Sequence, residues 1–229
     1  IPSQRSAILL LNRSILSSVA KVSGGEGIRI KPVGMHTKAE WTIQMSAIYS
    51  SLTRSNLTTA YLSNGTGGEF YTRISSTAGI QVKNGRDGDD TWTQIPLQAG
   101  KWLHITYVHK DKKTTVYVNG KVQKVFENSA ITFGENSMIV VGNSGYRNDY
   151  LREIRLWDKA LTESEINDYL YLPMDPATPH LISYLPLSKE METKDLKAPA
   201  GTENVTTKAR IEYVENVKFP ADELVIVNQ

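Results

Sequence analysis

The sequence predicts an all-β sandwich, and three observations carry that expectation. Asn119-Gly120 lies between Val116-Tyr117-Val118 and Lys121-Val122-Gln123-Lys124-Val125, and this residue pair tolerates positive φ at both central positions of a two-residue hairpin turn. Residues 41–52 alternate, with Trp41, Ile43, Met45, Ala47 and Tyr49 on one face and Thr42, Gln44 and Ser46 on the other, the period of a half-buried strand. Short runs rich in β-branched and aromatic residues recur along the chain, separated by turn-rich stretches such as residues 63–68 and 84–90. Many short strands joined by polar turns pack as a sandwich or a barrel.

In chain order, strands are expected at residues 28–30, 41–52, 69–74 and 80–82. Residues 103–109 and 114–118 read as a hairpin whose polar loop is Lys110, Asp111, Lys112 and Lys113. The Asn119-Gly120 turn continues it into residues 121–125, and further strands are expected at 138–141 and 150–157. A single short helix follows, because Thr162 and Glu165 match a capping box and Ile166, Tyr169 and Leu170 form one apolar stripe. Pro173, Pro176 and Pro179 then interrupt the chain before strands resume at 181–185, 211–217 and 223–227. We read residues 173–229 as a return segment of one domain spanning 1–229, since a second domain of that size is marginal. Trp41, Trp102 and Trp157 sit inside strand patterns and are assigned to packing.

Composition narrows the function. With 229 residues, 40% of them hydrophobic and 22% charged, the chain can bury a sizeable core. Its 26 basic and 24 acidic residues nearly cancel, so there is no broad positive field for nucleic acid. The absence of cysteine excludes disulfides, thiolate zinc sites and cysteine nucleophiles. The apolar run 7–11 is too short for a transmembrane segment or a signal-peptide core. Because the first residue is Ile1, we expect a piece of a longer chain, with any targeting segment and neighbouring domains outside it.

Gly100-Lys101-Trp102-Leu103-His104-Ile105-Thr106-Tyr107, followed by Val116-Tyr117-Val118-Asn119-Gly120-Lys121, resembles the central hairpins of laminin-G and pentraxin-like domains of the concanavalin A-like lectin/glucanase superfamily. Leu151-Arg152-Glu153-Ile154-Arg155-Leu156-Trp157-Asp158-Lys159-Ala160-Leu161-Thr162, then Glu165-Ile166, resembles the family's penultimate strand and short helix. Ile182-Ser183-Tyr184-Leu185-Pro186-Leu187 is similar to the closing segment that returns the chain to the N-terminal strand. The resemblance covers roughly residues 5–220. It implies a jelly roll of two curved antiparallel sheets with one short helix, and a ligand drawn from sugars, proteins or lipid headgroups, often bound through calcium. The length and long return most resemble versions in exported multidomain proteins of gut bacteria. That implies an extracytoplasmic location, at the cell surface or in the periplasm.

The same superfamily contains retaining glucanases with a Glu-x-Asp-x-x-Glu strand. None of the fourteen glutamates here has an aspartate two residues later, so the close carboxylate pair of that chemistry is missing in that form. The zinc-protease His-Glu-x-x-His, phosphate-loop and Gly-x-Ser-x-Gly patterns are also absent. His36, His104, His109 and His180 are scattered, and His104, between Trp102 and Thr106, reads as a hydrogen-bonded structural residue.

Two clusters are candidates for calcium. Asp87, Asp89 and Asp90 supply hard oxygens in a glycine-flexed loop, although a solvated hairpin tip explains the same residues. Asn143, Asn148 and Asp149 precede the strand of the second resemblance. Where many relatives carry an acidic pair before that strand, this chain has Arg152-Glu153, which weakens the carry-over. Sugar binding needs flat apolar faces beside fixed polar groups. Trp92 beside Asp89 and Asp90, and Tyr146 and Tyr150 around Asn148, fit that need, the alternative being aromatics packed on sheet edges. Arg155 reads as a strand-face ion pair or as the partner of a ligand carboxylate. Asn12, Asn56, Asn64 and Asn204 satisfy the N-glycosylation triplet.

The leading expectation is a non-catalytic carbohydrate-binding module, lectin-like and on an exported protein, with a glycan or polysaccharide as partner. The alternatives are a structural or protein-interaction sandwich, and a divergent glycoside hydrolase with two carboxyl groups facing across a cleft.

Overall fold

The structure, a computed structural model, describes residues 18–215 and 217, apart from 26, 36–37, 53–57, 64–69, 85–90, 128–130, 132, 143–148 and 171. The strand expected at 223–227 lies outside the described residues. Nearly all the described secondary structure is antiparallel β, in two sheets packed face to face as a jelly-roll sandwich. The eight-stranded sheet runs β14 (Arg210–Glu215), β1 (Ser18–Ser23), β11 (Asp149–Trp157), β3 (Trp41–Ile48), β7 (Trp102–Lys110), β8 (Lys113–Val118), β9 (Lys121–Glu127). Strand β12 (Leu181–Leu185) pairs with the C-terminal half of β11, on the same side as β1. The six-stranded sheet runs β13 (Val205–Thr207), β2 (Ile28–Ile30), β10 (Met138–Val141), β4 (Thr58–Ser63), β5 (Phe70–Ser75), β6 (Gly79–Asn84).

The turns follow from local chemistry. Asn119 and Gly120 both have positive φ, 50° and 75°, as a primed two-residue hairpin requires. The preceding hairpin is tighter than its lysine content suggests. Only Asp111 and Lys112 form the turn, at φ 51° and 62°, and Lys110 and Lys113 are already a cross-strand pair. Those two lysines are held apart electrostatically by Glu40 at 3.0 Å and Glu127 at 3.2 Å respectively.

The core lies between the sheets, and Trp41 anchors it. Its ring meets Phe70 and Phe133 edge to face at 5.2 and 5.7 Å and stacks on His109 at 5.0 Å, while its Nε1 donates to the Ile131 carbonyl at 3.0 Å. Trp157 is buried as well, and Trp102 is partly exposed.

One expectation is corrected. Strand β3 is buried on both faces, with Thr42, Gln44 and Ser46 at 1% exposure or less. A second layer covers its polar face: helix α1 (Glu163–Asp168) and the chain after it. Val108, Trp157, Leu161, Ile166, Met174, Leu181 and Tyr184 form a small apolar cluster under this layer. Buried polar groups are tolerated where they are hydrogen-bonded. Thr42 Oγ1 donates to the Lys159 carbonyl at 2.7 Å and accepts from Leu161 N at 3.0 Å, and Trp157 Nε1 donates to Gln44 Oε1 at 2.8 Å. The expected capping box of α1 is present, with Thr162 and Glu165 bonding reciprocally.

The closing segment meets the N-terminal strand end to end. Lys189 N donates to Ser18 Oγ at 2.7 Å, but it is β14 that pairs along the whole of β1.

Candidate functional site

A ligand must approach one of the two outward sheet faces or a rim. The outward face of the eight-stranded sheet is closed around β11. That strand bulges between Arg152 and Arg155, and Glu153 takes φ 55°, so its side chain turns in toward both guanidiniums. Arg155 Nη2 donates to Glu153 Oε2 at 2.8 Å and to the Leu172 carbonyl, and Nη1 donates to the Tyr169 carbonyl at 2.9 Å. The Tyr184 hydroxyl donates to Glu153 at 3.0 Å. All three side chains are buried, and burial pushes the Tyr184 phenol far above its ordinary range, with the Glu153 charge adding to it. Arg155 is thus an ion-paired strut between the sheet and the layer over it, and no ligand group reaches it.

The outward face of the six-stranded sheet is different. Antiparallel partners share a face, so Arg29, Val140, Tyr71 and Lys83 fall in one outward row across β2, β10, β5 and β6, linked in register through β4. A second row runs Arg73–Gln81–Trp92. At about 4.8 Å per strand, the first row is roughly 19 Å long. Tyr71, Arg73 and Lys83 are partly exposed. The Arg73 guanidinium lies 5.2 Å from the Tyr71 ring centroid and the Lys83 ammonium 5.9 Å. These distances lie within cation–π range and hold the phenol between two positive groups.

Trp92 borders this face, as the partner of Gln81 in an isolated bridge. It is 8% exposed, so little of its ring meets solvent. Its position depends on Gly79. Thr93 N donates to the Ile80 carbonyl at 2.8 Å, Gln94 N to the Ala78 carbonyl at 2.9 Å, and Thr93 Oγ1 accepts from Ile80 N at 2.9 Å. A Cβ on Gly79 would lie 2.1 Å from Thr93 Oγ1 and 2.4 Å from the Ile95 carbonyl oxygen, at φ +78°. Gly79→Ala is therefore expected to peel residues 92–95 away from β6 and to cost about 1–3 kcal/mol. The midpoint of urea unfolding checks this; an unshifted midpoint is inconsistent with the packing.

Asp87, Asp89, Asp90, Asn143, Tyr146 and Asn148 lie outside the described residues. Tyr150 belongs to the other sheet, paired with Lys21 and Ile48, and is partly exposed. Asp149 is 1% exposed, and its Oδ1 accepts from Ser50 N at 3.1 Å and Ser50 Oγ at 3.3 Å. These bonds tie the start of β11 to the chain just after β3. Among the described residues no group of three or more His, Asp or Glu is placed to hold a metal ion.

A rim depression of about 680 Å³ is formed by residues 191–205. Its one buried acid is structural: Asp195 accepts from Tyr184 N and Lys197 N at 2.9 Å each and from Asn204 Nδ2 at 2.8 Å. The same bond commits the side chain of Asn204, one of the glycosylation triplets.

Tyr71, Arg73 and Lys83 were not singled out from the sequence. Their signal was present in the alternation of Phe70, Thr72 and Ile74 with Tyr71, Arg73 and Ser75.

Comparison with known proteins agrees with this architecture. A laminin-G-type family model, described as the concanavalin A-like lectin/glucanases superfamily, matches residues 23–167. No curated protein sequence matches the chain significantly. Among solved structures, a putative carbohydrate binding protein from Bacteroides ovatus is 18% identical with a TM-score of 0.61, covering 87% of this chain and 60% of its own length. Domain 4 of an extracellular arabinanase from Geobacillus stearothermophilus, in complex with arabinotriose, is 19% identical with a TM-score of 0.55, over 66% of this chain and 75% of that one. A heptameric SAP-like pentraxin from Limulus polyphemus is 15% identical with a TM-score of 0.52, over 67% and 81%. At these identities the likeness establishes a shared fold. This chain spans less than two thirds of the Bacteroides protein.

Proposed function

Because this chain belongs to the concanavalin A-like lectin/glucanases superfamily, we propose that it is a non-catalytic carbohydrate-binding module of an exported or cell-surface protein. One observation carries the reading. An aromatic ring flanked by two cations, Tyr71 with Arg73 and Lys83, stands on an outward sheet face next to Gln81 and the edge of Trp92. An exposed aromatic offers a flat apolar surface to pyranose C–H groups, and fixed polar groups beside it address hydroxyls. The solved neighbours from Bacteroides and Geobacillus bear names or ligands of that class, which supports the reading by analogy. The non-catalytic part rests on the acids of β11. Asp149 and Glu153 are both buried and tied into the fold, with neither presented to a cleft as glycoside hydrolysis requires. Among the described residues, the charged groups in the strands of this face are cations.

A glycan-array screen of the purified chain, with and without calcium, tests the proposal. Saturable binding is expected, weakened roughly tenfold in Tyr71→Ala by loss of an aromatic contact. Calcium dependence would transfer the site to the acidic loop at Asp87, Asp89 and Asp90.

A second reading is a structural or protein-interaction sandwich, favoured by the burial of Trp92. An array on which no glycan binds would select it.

A further inference from the structure

We infer that the ligand of this face is a uronic-acid polysaccharide, recognised through its carboxylates; the inference rests on the carbohydrate-binding reading above. The six strands of the smaller sheet contain Arg29, Arg73 and Lys83 and not one aspartate or glutamate. In the larger sheet, by contrast, acids and bases are mixed along β9, β11 and β14. All three cations of the smaller sheet fall at outward register positions. Within the strands of this sheet the positive charge is therefore sorted to one face, in a chain whose formal net charge is only +2.

Several surface lysines meet carboxylates: Lys21 with Glu212, Lys38 with Asp158, Lys110 with Glu40, Lys113 with Glu127 and Lys189 with Glu215. Arg73 and Lys83 rest against the Tyr71 ring, and among the described residues neither meets a carboxylate. A guanidinium binds a carboxylate through two parallel N–H bonds, and an ammonium binds it as a point charge. With both cations packed over the Tyr71 ring, a sugar at the exposed edge of the phenol brings its carboxylate within reach of either one.

Arg29 lies in the same row as Lys83, four strand steps or roughly 19 Å away at strand spacing. The cations therefore sit at two points roughly 19 Å apart, Arg73 with Lys83 at one and Arg29 at the other, which suits a chain that repeats its carboxylates along its length. A densely sulfated chain or a nucleic acid draws on a broader field of positive charge.

The test measures binding of the whole chain to polygalacturonate, polyglucuronate and alginate, to their methyl-esterified forms, and to heparin and single-stranded DNA, at 50 and 500 mM NaCl. At least one uronate polymer is expected to bind and to lose roughly tenfold or more on esterification, in high salt, and in the Arg73→Ala/Lys83→Ala double variant. The unfolding temperature of the double variant is expected to stay at the wild-type value, and Lys83→Glu alone is expected to weaken binding further than Lys83→Ala. Equal binding to esterified polymers, with no effect of salt or of the double variant, overturns the inference while leaving carbohydrate binding intact. Preference for heparin or DNA over every uronate overturns it in favour of another polyanion. Failure to bind any glycan here or on the array overturns the underlying reading as well.

Discussion

Replacing Glu153 with alanine is expected to destabilise the protein by about 3–5 kcal/mol, the loss typical of breaking a buried ion pair by removing one partner. Glu153 and Arg155 are both fully buried and 2.8 Å apart, and Arg152 Nε lies 3.9 Å from the same carboxylate. Without Glu153, the buried Arg155 guanidinium loses its carboxylate, and Arg152 loses the one 3.9 Å from its Nε. The Tyr184 hydroxyl loses its acceptor at the same time. The damage should spread to the covering layer, because Arg155 also holds the Tyr169 and Leu172 carbonyls. Glu153→Gln keeps the shape and part of the hydrogen bonding, so its loss should be smaller, and Tyr184→Phe should cost about 1–3 kcal/mol. Urea unfolding of the three variants at neutral pH gives the comparison. An alanine variant within 1 kcal/mol of wild type contradicts the assignment of this cluster as a strut.

Acid should unfold the protein steeply. His104 is completely buried, and desolvation, with a smaller contribution from the Arg155 charge, lowers its pKa to about 3. Burial alone lowers His109 to about 4, where its ring stacks on Trp41 and its Nε2 accepts from Ile131 N at 3.2 Å. Both folded values lie below the unfolded value of about 6.5. Between about 4 and 6.5 the unfolded chain therefore binds more protons than the folded one. Stability must then rise with pH through that window and fall as the pH drops through it. Two such histidines remove about 3–4 kcal/mol between pH 7 and pH 5. Denaturant titrations at pH 7, 6 and 5 measure this, and His109→Gln should halve the slope whatever it does to the stability at pH 7. A stability that stays level across the window contradicts the neutral, buried state of both rings.

The parts of this fold that were legible in the sequence are those set by local chemistry. Asn119-Gly120 dictates its turn through backbone sterics, and Thr162 with Glu165 caps its helix through bonds three residues apart. The resemblance of residues 100–107 and 151–162 to laminin-G-type domains agrees with the family match over 23–167. What was not legible depends on distant partners. Thr42 and Gln44 alternate like solvent-facing residues, yet they are covered by chain more than a hundred positions away, at Lys159 and Trp157. Arg152-Glu153 looked like a departure from an acidic ligand pair, and a bulge in β11 makes it part of a buried network. Strands β1, β4 and β13 escaped notice because short, polar or serine- and threonine-rich runs carry little periodic signal. Tyr71, Arg73 and Lys83 form a site only once the β5–β6 register is known.

The central claim, that the outward face of the six-stranded sheet binds glycan, is tested most directly by backbone NMR titration with the tightest ligand from the array. The largest shift changes are expected on Arg29, Tyr71, Arg73, Gln81, Lys83 and Trp92, with residues 191–205 unaffected. Shift changes concentrated on residues 191–205, or on the loop 143–148, would contradict it.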